Sequence, residues 1–200
     1  MEILSRPDLH VMDLEALLDL LPVDQLISLA RFPDGAEPYG RHLLYAGSEG
    51  EALIMGWRDD SPCAPHDHGA ARGVVLILRG EGIEREWIVE EERVRPGRSR
   101  ELVAPAMVHV LPGVVHSMTA RGSAVTLHLY TPAITGMRVY DVERRRTLVV
   151  ANDCGAWIPD DSLIRSEHEW NNELKPEERT TDGTTDHNPK NLLSTPHSPQ

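Results

Sequence analysis

The sequence is poor in cysteine and in aromatic residues. Among its 200 residues only Cys63 and Cys154 are cysteines, and nine are aromatic: one Phe, four Trp and four Tyr. Two cysteines cannot build a disulfide-rich scaffold or a cysteine-based zinc module, and this scarcity is typical of a reducing cytoplasm. No apolar run approaches the roughly 20 residues that span a membrane, and the first residues do not resemble a secretion signal. We therefore expect a cytoplasmic protein without a membrane partner.

Positive charge is scarce as well. The 20 Lys and Arg residues face 32 Asp and Glu residues, which gives a formal net charge of −12. Sequence-independent binding to nucleic acid requires clustered basic residues, so we expect no nucleic-acid partner. The 40% hydrophobic and 26% charged residues are ordinary for a globular protein. The length suits one domain with a substantial core, present as a monomer or a small homo-oligomer.

The first part of the chain fits helices and the middle part fits strands. Within residues 1–35, Asp13 can cap a helix that Pro22 ends, and a second helix fits Asp24–Arg31. Across residues 36–158, short runs with strand periodicity alternate with Gly- and Pro-containing turns. The predicted turns include Arg79–Gly82, Pro96-Gly97, Pro112-Gly113 and Arg121–Ser123. The expected strands are Arg41–Ala46, Ala52–Trp57, Val74–Leu78, Ile83–Val89, Met107–Leu111, Val125–Tyr130, Arg138–Val142 and Thr147–Ala151. This pattern indicates a mainly β domain, a sandwich or a barrel, on which the N-terminal helices pack.

The last part, residues 159–200, differs in composition. It contains only six apolar residues and five prolines, and its nine acids against four bases give it a net charge of −5. Such a segment cannot bury enough apolar surface to offset its ordering entropy. We expect a mobile, disordered acidic tail with a short helix near Ser166–Leu174.

Histidine, by contrast, is abundant, with ten residues in the chain. His66 and His68 lie two positions apart, so on an extended segment they face the same side and can hold one metal ion. His116 follows the turn at Pro112-Gly113 and can supply a third imidazole. Taken singly, each motif also fits surface histidines, and His109 is an alternative third ligand.

One expected strand carries three polar side chains on a single face. Thr126, His128 and Tyr130 alternate within Val125–Tyr130, so a hydroxyl, an imidazole and a phenol point the same way. These groups can form a hydrogen-bonded relay. The alternative is an ordinary half-buried strand, which seldom places these three residue types together.

The histidine motifs together resemble the paired metal motifs of the cupin superfamily, small jelly-roll β-barrels that hold a metal ion. His66 and His68 match the first motif, with Gly73 in the place of its glutamate, and Gly113 with His116 matches the second. The missing glutamate implies a site of three histidines without a carboxylate. That combination resembles the cysteine dioxygenase family of thiol dioxygenases, which bind Fe(II) through three histidines.

Two further stretches resemble that family. Thr126–Tyr130 is similar to its Ser-x-His-x-Tyr stretch, and Tyr39-Gly40-Arg41 is similar to its Tyr-x-Arg, whose arginine pairs with the substrate carboxylate. Gly73 stands where some animal members carry a cysteine crosslinked to the relay tyrosine, so the resemblance is to bacterial-type members without that crosslink. The implied roles are an Fe(II) site of His66, His68 and His116, substrate binding by Arg41 and Tyr39, and a catalytic relay of Thr126, His128 and Tyr130. Trp57 is interpreted as a packing residue.

The resemblance implies an Fe(II)-dependent dioxygenase that takes L-cysteine and O2 and forms cysteine sulfinic acid. Three protein ligands would leave positions open on an octahedral ferrous ion for substrate and dioxygen. A dioxygenase for 3-mercaptopropionate or another small thiol acid is an alternative, although members that prefer it tend to carry glutamine in place of Arg41. A non-catalytic cupin that binds a metal or ligand would have no evident need of the relay, and a zinc or manganese cupin isomerase would usually keep the glutamate that Gly73 replaces.

Overall fold

A computed structural model of the chain describes residues 12–91 and 93–170. It begins with two short helices, α1 (Leu14–Asp19) and α2 (Val23–Ser28). The Asp13 carboxylate caps α1 by accepting a hydrogen bond from the Ala16 N–H at 2.8 Å. Both predicted helices are therefore present, although α2 ends three residues earlier than the sequence indicates. Within the described residues, none of the helices has the length and apolar character needed to cross a bilayer.

The rest of the described chain contains nine antiparallel strands, their connecting segments and one turn of 3-10 helix at Asp161–Leu163. The strands are β1 (Tyr39–Gly47), β2 (Gly50–Trp57), β3 (Arg72–Glu90), β4 (Arg93–Val103), β5 (Ala106–Val110), β6 (Val115–Thr131), β7 (Arg138–Asp141), β8 (Arg146–Val150) and β9 (Ile164–Glu169). One sheet has the order β1-β2-β6-β3-β4, with β5 also paired to β3, and a smaller sheet has the order β7-β8-β9. This architecture confirms the predicted mainly β, cupin-type barrel.

The two longest strands, β3 and β6, run through positions where the sequence predicted turns. The predicted turn at Arg79–Gly82 is wrong, because β3 continues through it for 19 residues in all. Gly80 adopts a φ of +82°, and the pairing register with β6 shifts on both sides of Arg79. A glycine in this conformation bends a strand at a bulge without ending it. β6 likewise continues through the predicted turn at Arg121–Ser123.

The polar strand β4 was not predicted. Six of the eleven residues of Arg93–Val103 are charged or polar, the strand contains Pro96 and Gly97, and most of its side chains are exposed. β4 lies at the edge of the sheet, paired only with β3. An edge strand needs no buried face and tolerates proline, so the Pro96-Gly97 pair, interpreted as a turn, lies inside the strand.

The central strands are buried on both faces, and this determines where the cavity lies. Val75 and Ile77 of β3 pack inside the barrel. Leu76, between them, packs outside with Leu17 of α1 and Leu26 of α2. The helices thus cover the outer face of the sheet, and the inner face is left to line the site.

The described C-terminal region corrects the predicted boundary of the tail. Residues 164–169, expected to be mobile or helical, form β9, which pairs with β8. Trp170 is buried, and its indole N–H donates to Thr147 Oγ1 at 2.8 Å. Nearly all β9 side chains are exposed, so main-chain pairing rather than an apolar pattern holds the strand, and composition alone could not reveal it. Residues 171–200 of the predicted tail lie outside the described residues.

Candidate active site

An extended segment between β2 and β3 carries two of the predicted metal ligands. The N–H of Asp67 donates to the carbonyl oxygen of Arg138 in β7 at 3.0 Å. The Asp67 side chain is fully buried and forms an ion pair with the Arg138 guanidinium at 2.6 Å. His66 and His68, on either side of Asp67, line the barrel cavity instead. This ion pair, in which Asp67 is buried and Arg138 is half exposed, therefore anchors the segment while the two imidazoles face the interior.

His116, at the start of β6, completes a group of three imidazoles. The N–H of His66 donates to the carbonyl oxygen of His116 at 2.9 Å, and the N–H of His116 donates to that of His66 at 3.0 Å. The ring centroids lie 4.8 Å apart for His66–His68, 4.8 Å for His66–His116 and 5.0 Å for His68–His116. One ring nitrogen of each residue lies within 4.8 Å of the others. The backbone pairing thus brings two distant motifs together around one point.

The hydrogen bonds of these imidazoles leave nitrogen atoms available to a metal ion. Nδ1 of His66 donates to the Ala64 carbonyl at 2.9 Å, and Nδ1 of His116 donates to a Glu84 carboxylate oxygen at 2.8 Å. Their Nε2 atoms are then free to ligate. Within residues 12–91 and 93–170, the buried Nδ1 of His68 has no hydrogen-bond partner. Burial, with a contribution from His116, lowers the pKa of His66 to about 3, and burial also lowers the pKa of His68 well below its usual value. Neutral imidazoles of this kind fit a transition-metal ion.

Glu84 of β3 supports the group from behind, and sequence reasoning missed it. Its side chain is only 6% exposed and accepts hydrogen bonds from His116 and from Arg100 of β4. Burial alone would raise the pKa of this carboxyl, but the hydrogen bonds from His116 and Arg100 outweigh that effect, and the pKa is lowered. A carboxylate behind a ligating histidine fixes the ring orientation and increases its basicity. Glu84 therefore positions His116.

We expect Glu84→Gln to weaken the binding of a divalent metal ion by about 10–100-fold, the usual cost of losing such a partner. The NH2 group of the glutamine would face the N–H groups of Arg100, so two donors would meet. The oxygen that accepts from His116 would no longer belong to a charged carboxylate. Anaerobic Fe(II) titration of the metal-free protein measures the effect. Glu90→Gln is the matched control. Glu90 lies on β3, as Glu84 does, but it is exposed and forms an ion pair with Arg95 of β4. Equal affinities for Glu84→Gln and wild type would contradict the positioning role.

The structure brings the predicted relay residues together and extends the chain of hydrogen bonds at both ends. Thr126 Oγ1 lies 2.8 Å from Nε2 of His128, and Nδ1 of His128 lies 2.9 Å from the hydroxyl of Tyr130. The Tyr130 hydroxyl lies 3.2 Å from Nε2 of His68. At the opposite end, the indole N–H of Trp57 donates to Thr126 Oγ1 at 2.8 Å. Trp57 therefore does more than the packing expected of it.

Burial keeps the relay uncharged. Desolvation, with smaller contributions from His116 and Arg41, lowers the pKa of His128 to about 3. Desolvation also raises the pKa of Tyr130 well above its usual value. Near pH 7 both side chains are neutral, so they exchange hydrogen bonds rather than ionic interactions.

Strand β1 places Tyr39 and Arg41 at the same cavity. Nη1 of Arg41 donates to the carbonyl oxygens of Asp153 and Cys154, at 2.6 and 2.8 Å. In the described part of the chain, Nε and Nη2 of Arg41 have no such partner. The Tyr39 hydroxyl accepts a hydrogen bond from the Ala156 N–H at 2.6 Å. Both residues hold residues 153–156 against the cavity and still have donors for a ligand.

The cavity enclosed by these residues is small, about 50 Å³. A buried water needs about 10–15 Å³ on the same scale, so the ligand must be small. Among the described lining residues, Arg41 is the only permanent cation and Glu84 the only acid. Because Glu84 is already bound to His116 and Arg100, the cavity favours an anionic ligand.

The family of the chain is identified by comparison with known proteins. The family model described as Cysteine dioxygenase type I matches residues 26–143, more than half of the chain. The chain belongs to this family. No curated protein shows significant sequence similarity to it.

The structure of this cysteine dioxygenase family member is also similar to solved structures, at low sequence identity. One is an uncharacterized conserved protein with a double-stranded β-helix domain from Klebsiella pneumoniae, with 17% identity and a TM-score of 0.48 over 60% of this chain and 94% of that one. Another is an RmlC-like cupin from Shewanella frigidimarina, with 19% identity and a TM-score of 0.42 over 51% of this chain and 82% of that one. An oxalate oxidase has 15% identity and a TM-score of 0.47 over 57% of this chain and 61% of that one.

In this cysteine dioxygenase family member, the position opposite the relay tyrosine has no room for a side chain. Gly73 pairs with Tyr130 across β3 and β6. A Cβ atom at Gly73 would lie 1.8 Å from the carbonyl oxygen of Leu129. Neither the cupin glutamate nor a crosslinking cysteine therefore fits on this backbone, and Tyr130 faces no thiol there.

Neither His109 nor Cys63 takes part in the group of three clustered histidines. His109, the alternative third ligand, lies exposed on β5 and is not among the three clustered histidines. Cys63 lines the cavity, but its buried sulfur accepts a hydrogen bond from the Met118 N–H at 3.1 Å, and burial raises its thiol pKa to about 12. Cys63 thus remains a neutral thiol that packs against the site.

Proposed function

We propose that this member of the cysteine dioxygenase type I family is an Fe(II)-dependent enzyme that converts L-cysteine and O2 to cysteine sulfinic acid. The observation that carries the proposal is a single small cavity onto which three clustered imidazoles, one guanidinium and two buried phenols converge. Family membership supports the oxidation of a thiol. The identity of the metal ion and of the thiol is the specific part of the proposal.

The three imidazoles suit a divalent iron ion. His66, His68 and His116 would hold it, and a bound ferrous ion would supply the redox chemistry by which dioxygen reacts with a thiolate. The sulfur gives up the electrons that dioxygen accepts, and both oxygen atoms end on the sulfur. The reaction therefore balances without an external reductant or an organic cofactor.

Arg41 would bind the carboxylate of the substrate. Its Nη1 is engaged with residues 153 and 154, which leaves the Nε and Nη2 donors for a ligand. Two parallel N–H groups match the two oxygens of a carboxylate. Tyr39 accepts its hydrogen bond from Ala156, so its own hydroxyl proton can donate to the same substrate.

Tyr130 would orient the substrate inside the cavity. Its hydroxyl is held between His128 and His68, and the side chain is only 2% exposed. A phenol fixed in this way donates a hydrogen bond at a defined position without the cost of reorganising solvent.

A second substrate is supported by one feature of the cavity. The only acid among its described lining residues, Glu84, is bound to His116 and Arg100, so no free carboxylate is available to a substrate ammonium group. A thiol acid without an amine, such as 3-mercaptopropionate, needs no such partner. Arg41 would bind its carboxylate in the same way.

Reconstitution with iron separates these functions. Purified full-length protein is loaded with Fe(II) under anaerobic conditions, then mixed with O2 and one thiol, and oxygen uptake and sulfinate formation are followed. We expect one sulfinate for each O2 consumed and a higher kcat/KM for L-cysteine than for 3-mercaptopropionate. Protein loaded with Zn(II), which has no redox chemistry, is the control and should be inactive.

Two results would change the proposal. A clear preference for 3-mercaptopropionate would transfer the assignment to that thiol. No oxygen uptake with L-cysteine, 3-mercaptopropionate or another small thiol, in protein that retains Fe(II), would contradict an enzymatic function and indicate a non-catalytic cupin that binds a metal or ligand.

A further inference from the structure

The relay begins at a side chain that can only donate. The indole N–H of Trp57 donates to Thr126 Oγ1 at 2.8 Å, and an indole has no nitrogen that accepts. Trp57 and Thr126 are 2% and 0% exposed, so bulk solvent does not compete at this end. The Thr126 oxygen therefore accepts one hydrogen bond, and the Thr126 proton needs an acceptor within the protein.

The need of the buried Thr126 O–H for an acceptor determines the direction of the next hydrogen bond. Besides Trp57, the one hydrogen-bond partner of the Thr126 hydroxyl in the described part of the chain is Nε2 of His128, at 2.8 Å. If Nε2 carried a proton, the Thr126 O–H would be a buried donor without an acceptor, which native structures avoid. Thr126 therefore donates to Nε2, and His128 must carry its proton on Nδ1.

We infer that Trp57 sets the direction of the whole relay, so that the Tyr130 hydroxyl can direct its proton only toward His68 and the cavity. Nδ1–H of His128 donates to the Tyr130 oxygen at 2.9 Å. The Tyr130 proton then lies on the far side of that oxygen, where Nε2 of His68 is 3.2 Å away. Each side chain donates to the next, from Trp57 to Tyr130.

This direction determines what Tyr130 does. An indole N–H does not ionise near neutral pH, so a chain that starts at Trp57 cannot deliver or remove a proton at its distant end. Tyr130 is therefore a hydrogen-bond donor fixed in direction toward His68 and the cavity, and Trp57 is a positioning residue that acts through Thr126 and His128. The catalytic consequence rests on the proposed function, whereas the direction of the bonds does not.

The direction can be measured without turnover. In full-length protein loaded with Zn(II) as a diamagnetic ion, multiple-bond nitrogen–proton NMR correlations of the His128 ring distinguish its two tautomers. His128 is neutral near pH 7 because burial lowers its pKa to about 3. Its ring therefore carries one proton, and the spectrum will show which nitrogen holds it. We expect the proton on Nδ1. A proton on Nε2 would overturn the inference, whatever the substrate of the enzyme.

Variants test the role of Trp57 itself. Trp57→Phe keeps a ring next to Tyr39, which packs on Trp57 with centroids 4.3 Å apart, but removes the N–H. We expect a mixture of His128 tautomers and a kcat lower by about threefold to tenfold, the cost of one buried hydrogen bond, with KM for L-cysteine within about twofold. Thr126→Val should also give a mixture of His128 tautomers. Thr126→Ser, which keeps the hydroxyl, should keep the His128 proton on Nδ1.

Trp170→Phe is the matched control. It removes an equivalent indole–threonine bond, to Thr147 at 2.8 Å, away from the residues that line the cavity, and should change neither the His128 tautomer nor kcat. A wild-type tautomer in Trp57→Phe would overturn the role of Trp57. Wild-type protein with the Nδ1 tautomer but no activity toward any thiol would support the direction and contradict the proposed function alone.

Discussion

Replacing His116 by alanine should abolish Fe(II) binding and every activity that depends on it. The variant loses one of three ligands, so we expect the affinity to fall by more than about 100-fold, beyond the usual cost of losing a supporting partner. Metal content and thermal unfolding with and without Fe(II) measure the effect. Fe(II) at about 100 times its Kd should stabilise the wild-type protein by about 2.7 kcal/mol and should not stabilise His116→Ala.

The fold should survive this substitution. The contact between the two metal motifs is made by backbone hydrogen bonds between His66 and His116, which alanine at position 116 retains. His109→Ala is the control, because His109 lies exposed on β5 and should leave metal content unchanged. Iron retained in His116→Ala but lost in His109→Ala would show that the third ligand has been assigned to the wrong histidine.

The candidate metal ligands are held rigidly by different parts of the barrel. The ion pair of Asp67 with Arg138 anchors the segment of His66 and His68, and Glu84 holds the His116 ring. Backbone hydrogen bonds join the two parts. A site built on such supports is preorganised, so little ordering entropy is lost when a small ligand binds.

Local sequence spacing predicts much of the site, because the relevant residues lie on single extended segments. The alternation of His66 with His68, and of Thr126 with His128 and Tyr130, places each set on one face. The structure shows both histidines of the first set at one cavity, together with His128 and Tyr130 of the second set. Thr126 lies behind them, hydrogen-bonded to His128. For residues on one extended segment, sequence spacing is sufficient to predict which side chains face the site.

Sequence spacing could not reveal Glu84 or Trp57, because both act across strands. Glu84 pairs with Met118 in the β3–β6 register and so lies diagonal to His116. Trp57 lies diagonal to Thr126, which pairs with Met55 in the β2–β6 register. Diagonal neighbours of this kind are within reach of long side chains, but they can be identified only once the register is known.

The errors in the predicted strands have a related cause. Gly80 permits a bulge within β3, although glycine pairs in sequences usually indicate a turn. β9 consists mainly of exposed polar residues and is held by pairing with β8. In both cases the partner strand, and not the segment's own sequence, determines the conformation.

Arg41→Ala should raise the KM for L-cysteine by at least about 100-fold and leave the iron content unchanged. Two charge-assisted hydrogen bonds to a carboxylate are worth about 1.5–3 kcal/mol each, and about 1.4 kcal/mol corresponds to tenfold in affinity. Arg41→Lys keeps the charge but not the two parallel donors, so we expect its KM for L-cysteine to rise by about tenfold. Steady-state oxygen uptake measures both variants.

Arg41 also holds the carbonyls of Asp153 and Cys154, and a second thiol separates this role from substrate binding. Cysteamine has the thiol and the amine of cysteine but no carboxylate, so Arg41→Ala should change its kcat/KM by less than about threefold if the arginine binds the carboxylate. Arg58→Ala is the control, because Arg58 donates to the carbonyls of Gly35 and Pro33 outside the cavity lining. Equal losses with L-cysteine and cysteamine would show that Arg41 only holds residues 153 and 154 in place.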